Sequence, residues 1–115
     1  MLFAVTDAMP TVHGPNEFQL YGNTLRLHEG RLVDARGSLA GVHIDMIGAL
    51  RRFVRNVELP LDVALAMVTS APARAIALED RHGMLAVSTA ADVLLLDSEG
   101  LDIRHMLLGG VLQPI

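Results

Sequence analysis

Asp7 is the residue in this chain best placed to do chemistry. It follows the short apolar run Leu2 to Thr6 and leads into a loop marked by Pro10, Gly14, Pro15 and Asn16. A carboxylate at the C-terminal end of a buried strand is where barrel enzymes place catalytic groups; the same residue type also serves as a plain turn or cap residue at strand ends. The five histidines, His13, His28, His43, His82 and His105, form neither H-x-H nor H-E-x-x-H. No pair therefore has the spacing that puts two imidazoles on one metal ion. All five read first as surface or strand-face residues, and His13, in the loop after Asp7, and His43 are the stronger candidates for a ligand role. Ser70 and Ser88 have no histidine at a spacing that suggests nucleophilic catalysis.

The segment Gly37 to Gly41 lacks a following Lys-Ser or Lys-Thr and does not follow a buried strand, so it is not a phosphate-cradling loop. It reads as a turn. Its glycines, flanking Leu39 and Ala40, would let a ligand come close to backbone N–H and C=O groups. The six methionines, Met46, Met67 and Met84 among them, sit in apolar stretches and read as core filling.

A chain of 115 residues suits one compact domain or a piece of a larger one. Its apolar fraction of 51% against 19% charged exceeds what a small self-sufficient domain needs, so part of that surface is expected to face further protein. A net charge of -4 gives no footprint for nucleic acid, which calls for clustered Lys and Arg. Arg51, Arg52 and Arg55 form the one basic cluster and read as a solvated helix stripe. There is no cysteine, which excludes disulfides and thiolate metal sites and fits a reducing cytoplasm. The N-terminal residues lack a basic region and meet Asp7 too soon for a signal peptide. Nowhere do 18 apolar residues run together, so no membrane span is expected.

The elements that must position these residues follow from periodicity. Leu2 to Thr6 is a continuous apolar run, the pattern of a parallel strand buried on both faces. Alternation from Phe18 to Val33, broken at Gly22-Asn23 and Glu29-Gly30, predicts a small β-meander. Ile44, Ile47, Leu50, Val54 and Val57 recur at spacings of three and four and predict an amphipathic helix. Pro60 suits the first turn of a second helix. Ser70-Ala71-Pro72 opens a third that runs to Leu78, and Gly83 ends the helical part. Short strands are expected at Met84 to Ala86, Asp92 to Leu96 and Ile103 to Gln113, the last folded at Gly109-Gly110, where glycine supplies the positive φ of a tight hairpin turn. A lone parallel strand needs crossover-linked neighbours, which this chain does not contain.

Four segments carry a family resemblance: Val5-Thr6-Asp7-Ala8-Met9; Ser38-Leu39-Ala40-Gly41 with Met46 five residues on; Ala71-Pro72-Ala73-Arg74-Ala75; and Ala91-Asp92-Val93-Leu94-Leu95-Leu96-Asp97. Together they resemble the N-acetylglucosamine-6-phosphate deacetylases of the amidohydrolase superfamily along the whole chain. The last two segments resemble amidohydrolases in general, and the first two point to the deacetylases. The resemblance implies an α/β fold, a C-terminal fragment of a (β/α)8 barrel, with residues 1–80 holding its last strand, a β-excursion and helices, and residues 81–115 holding C-terminal strands of a small β-sandwich. A closed barrel needs roughly 200 residues or more, so the remaining site residues are expected upstream of Met1.

By the same resemblance, Asp7 is the general base and then the general acid of amide hydrolysis, and Leu39, Ala40 and Gly41 contact the substrate. A divalent metal such as zinc would be the cofactor of the complete enzyme, with no metal ligand in this chain, which alone is expected to be inactive. The implied partner is a phosphorylated amino sugar, the implied assembly a cytoplasmic homo-oligomer, with neither nucleic acid nor membrane involved. Departures from the family pattern are Val42 and His43, where Ser usually follows Leu-Ala-Gly, Ile44-Asp45-Met46 in place of Leu-Thr-Met, Ala71 in place of Asn, and Ser88-Thr89-Ala90 in place of Gly-Lys. The alternatives are a non-catalytic interaction module and an amidohydrolase acting on another amide or amine.

Overall fold

The computed structural model describes residues 1–115. The chain is mixed α/β, with two antiparallel sheets and three helices. It divides into two compact units, residues 5–46 and residues 1–4 with 47–115.

The unit of residues 5–46 is built on a four-stranded meander, β1 (Glu17–Leu20), β2 (Asn23–His28), β3 (Arg31–Val33) and β4 (Leu39–Gly41), in that spatial order. Both tight turns place two successive residues at positive φ, Tyr21-Gly22 at 49° and 80° and Glu29-Gly30 at 50° and 74°. That geometry matches the right-handed twist of the strands it joins. Leu25, Leu32 and Val33 form its buried apolar residues, and Thr11 is buried with them. The predicted meander is observed; the predicted turn at Gly37 to Gly41 is corrected, since Leu39–Gly41 forms the fourth strand. The turn lies earlier, where Asp34 Oδ1 accepts the backbone N–H groups of Arg36 and Ser38 and folds the chain back.

The apolar run Leu2 to Thr6 is not a strand. Leu2 and Val5 are exposed, and the N–H of Ala4 goes to the carbonyl of Met67, one of the last-turn acceptors of a helix, instead of to a sheet. With no neighbouring strand to supply a ladder, the run has only this one hydrogen bond to a helix end. The sole parallel pairing in the chain is a single bridge further on, Ala8 to Val42.

In the other unit, α1 (Met46–Arg55), α2 (Leu61–Val68) and α3 (Ser70–Ala75) precede a second meander, β5 (Val93–Leu96), β6 (Ile103–Leu108) and β7 (Val111–Gln113). Leu50, Ala64 and Leu101 make its buried cluster, covered by Ile47, Phe53, Val54, Leu59, Leu65, Val68 and Leu96. The Gly109-Gly110 hairpin is present, both residues at positive φ. The strand expected at Met84 to Ala86 is absent; its hydrogen bonds go to Thr89, whose Oγ1 donates to the carbonyls of Met84 and Ala86 and accepts the N–H of Ala86. Of the arginines of α1, Arg52 is exposed as expected of a solvated stripe, whereas the other two are engaged. Arg51 and Arg55 donate to the carbonyls of Glu99, Gly100 and Leu101, fastening the turn before β6 to the helix. No helix is long and apolar enough to cross a membrane.

Asp97 organises that same turn. Its Oδ1 accepts the N–H groups of Glu99 and Gly100, and Arg104 lies 2.8 Å from Oδ2. The N–H of Gly100 above all, with Arg104 and the N–H of Glu99, holds its carboxyl below the usual value of 3.8 despite the opposing effect of burial. A group lowered in the folded state stabilises the fold above its unfolded pKa and loses that contribution as pH falls through the folded value. Acid unfolding followed by circular dichroism is therefore expected to show a decline below about pH 4 that Asp97→Asn makes shallower. An unchanged acid profile in the variant would remove Asp97 as its source.

Candidate functional site

Asp7 stands exposed at φ 49°, in the left-handed region, which Asp enters more readily than most non-glycine residues. One residue later the chain enters the parallel bridge from Ala8 to Val42, reinforced by a 3.0 Å hydrogen bond from the N–H of Met9 to the carbonyl of Val42. Gly41 precedes Val42 as Asp7 precedes Ala8. The bridge thus brings Asp7 and the end of β4, two segments singled out from the sequence, into neighbouring register.

The short strand carrying Leu39, Ala40 and Gly41 is irregular. Leu39 pairs with Val33 and Gly41 with the adjacent Leu32, which leaves Ala40 as the extra residue of a β-bulge. Bulges re-aim side chains and free backbone groups from the ladder, and they gather next to functional sites. Leu39 is exposed, and Ala40 lines an open cleft of about 480 Å³ together with Tyr21, Asn23, Asp34 and Arg36. At Gly41 a Cβ would stand 2.8 Å from Met9 Cγ and 3.0 Å from Leu32 Cδ2, so glycine is what allows the loop after Asp7 to lie against this strand.

Two further contacts join the same segments. Thr11 Oγ1 and His43 Nδ1 share a hydrogen bond of 3.0 Å, and His13 Nε2 meets Asp45 Oδ2 at 2.8 Å. Thr11 is 2% exposed, whereas the His13 side chain is 79% exposed. Sequence reasoning passed over Thr11 and Asp45 and left His13 and His43 as isolated histidines. Nothing in the sequence links the partners, which are 32 residues apart in both pairs. His28 and His105 are exposed, and His82 lies 3.8 Å from Asp92.

No three His, Asp or Glu side chains gather in a way that would hold a metal ion. The donors around Asp7 come as separate pairs, already bonded to each other, and do not fit a metal centre of three or four protein ligands. What the arrangement offers is an exposed carboxylate in a fixed backbone conformation beside a bulged strand with accessible backbone groups. That suits proton transfer at a substrate lying along the strand.

The sequence profile of the amidohydrolase family matches residues 6–110, and the chain belongs to that family. Within it, an 85-residue stretch is 39% identical to N-acetylglucosamine-6-phosphate deacetylase of Haemophilus influenzae, covering 71% of this chain and 22% of that one. N-acetylgalactosamine-6-phosphate deacetylase of a Shewanella species is 35% identical over 99 residues, 85% of this chain and 25% of its own length. The crystal structure of N-acetylglucosamine-6-phosphate deacetylase from Pasteurella multocida superposes with a TM-score of 0.89 at 27% identity, covering 97% of this chain and 30% of that one. The chain therefore spans between about a fifth and a third of these relatives.

Proposed function

We propose that this chain is one portion of a metal-dependent deacetylase that hydrolyses N-acetylglucosamine 6-phosphate to glucosamine 6-phosphate and acetate. In this reading residues 1–80 belong to the last part of a (β/α)8 barrel, residues 81–115 to a β-sandwich, and the complete protein is a cytoplasmic homo-oligomer. The observation that carries it is the register of Asp7 against the bulged strand Leu39–Gly41, set by the bridge from Ala8 to Val42. The similarity to deacetylases of phosphorylated amino sugars gives the substrate class.

Asp7 is assigned the proton transfers. Its carboxylate accepts a proton from the water that attacks the acetamide carbonyl carbon, and returns it to the nitrogen as the C–N bond breaks, leaving acetate and a free amine. Leu39, Ala40 and Gly41 hold the substrate through backbone groups. A divalent metal, when bound, would polarise the carbonyl and acidify the water; its ligands are assigned to the rest of the protein.

A second reading, the galactosamine epimer as substrate, is favoured by the 35% identity to the Shewanella enzyme. Acetate release from both 6-phosphates by the complete protein tests the two together. Turnover of the gluco sugar is expected to exceed that of the galacto sugar, the reverse order would favour the second reading, and no acetate from either would refute both.

A further inference from the structure

We propose that Thr11–His43 and His13–Asp45 form a two-point clamp that sets the position of Asp7, a role that rests on the deacetylase reading above. The two pairs join the turn that follows Ala8 to the residues that follow Val42, just beyond the bridge between those two. Beyond the bridge, alternate residues on each side meet: 11 with 43, then 13 with 45. The backbone between Asp7 and His13 leaves regular structure, with both ends at positive φ, 49° and 55°. The bridge, the Met9 hydrogen bond, the Met9 side chain against Gly41 and these two pairs fasten it to the strand side of the unit.

The inner pair is shielded, with Thr11 buried, and the outer one is open to water. Thr11 Oγ1 and His43 Nδ1 therefore fix the loop, and His13 with Asp45 limits its fraying. Thr11 and His13 are positioning residues: they act on the proton transfer through the placement of Asp7.

The test uses Thr11→Val, which keeps the shape and removes the hydroxyl, and His13→Ala, each paired with a conservative variant that retains a donor, Thr11→Ser and His13→Gln. Hydrogen–deuterium exchange is measured across residues 7–14, with β1 and β2 as the internal control for folding, and kcat and KM for acetate release are measured in the complete protein. Thr11→Val and His13→Ala are expected to speed exchange in 7–14 alone and to lower kcat about tenfold with KM within about twofold, as a displaced catalytic group does. Thr11→Ser and His13→Gln are expected to restore both. Unchanged exchange in 7–14 would overturn the clamp, and faster exchange with unchanged kcat would overturn its positioning role. Absence of acetate release from the parent protein would instead defeat the deacetylase reading, while the exchange measurement still decides whether the clamp exists.

Discussion

Replacing Asp7 by Asn is expected to lower kcat for acetate release by about 10²- to 10⁴-fold in the complete protein, the range that a positioned acid–base group contributes. The choice of Asn matters because of the backbone. Asp7 sits at φ 49°, and Asn tolerates the left-handed region as Asp does, so the loop keeps its path. The amide preserves size and polarity but cannot accept the proton from water. Asp7→Ala would confound loss of the carboxylate with the added cost of holding alanine in the left-handed region. Steady-state kinetics with a thermal unfolding control separates chemistry from folding: a fall in kcat at unchanged midpoint supports the assignment, and turnover close to the parent removes Asp7 from the mechanism.

Gly83→Ala is expected to destabilise the chain by about 2–4 kcal/mol, combining overpacking with a left-handed backbone that a Cβ disfavours. At this position a Cβ would stand 2.7 Å from the carbonyl oxygen of Thr69, 2.9 Å from Ser70 Cα and 3.0 Å from Ala73 Cβ, with φ at 86°. The first two obstacles are backbone at the junction of α2 and α3 and cannot rotate away. Gly30 provides the comparison, because its φ is 74° but no atom lies within 4 Å of the added carbon. Gly30→Ala is left with the left-handed cost alone, about 1–2 kcal/mol. Urea unfolding of the two variants side by side checks this. Equal midpoints would show that the chain at Gly83 does not press on the helix junction.

Where the local signal and the final arrangement agreed, the sequence was a sound guide. The two hairpins of the first meander and the one at Gly109-Gly110 were legible because each turn carries a glycine, which takes positive φ without steric cost, although the first turn falls at Tyr21-Gly22 instead of Gly22-Asn23. The helix around Leu50 was legible because a 3.6-residue period has no strand counterpart. Leu2 to Thr6 misled for the converse reason. A continuous apolar run has no period, and whether it pairs depends on segments elsewhere. Leu39–Gly41 was hidden by its glycines, which read as a turn although Asp34 had already made the turn five residues earlier.

The candidate site was legible in its parts and not in its assembly. Asp7 and Leu39–Gly41 were found separately, by strand-end position and by resemblance, while the bridge that puts them in register leaves no pattern in either segment. The clamp was out of reach for a similar reason. A threonine and a histidine 32 residues apart carry no mutual signal until a parallel alignment of their segments is known. Arg51 and Arg55 show the same limit, since their carbonyl partners near Gly100 are chosen by tertiary packing.

The fastenings at Ala8–Val42, Thr11–His43 and His13–Asp45 have a consequence for how such a protein can change over generations. They close the chain at its neck, so that the meander β1 to β3 hangs from a stem whose two sides are already joined. Closure entropy rises only slowly with the length of a loop, about 0.6 kcal/mol per doubling. The turns between its strands can therefore be lengthened or shortened at small energetic expense, so long as Leu25, Leu32 and Val33 keep their buried places, while Asp7 and Gly41 stay opposite one another on the stem. Descendants of one ancestral chain can in this way vary the tips of the meander and leave the register of Asp7 and Gly41 untouched.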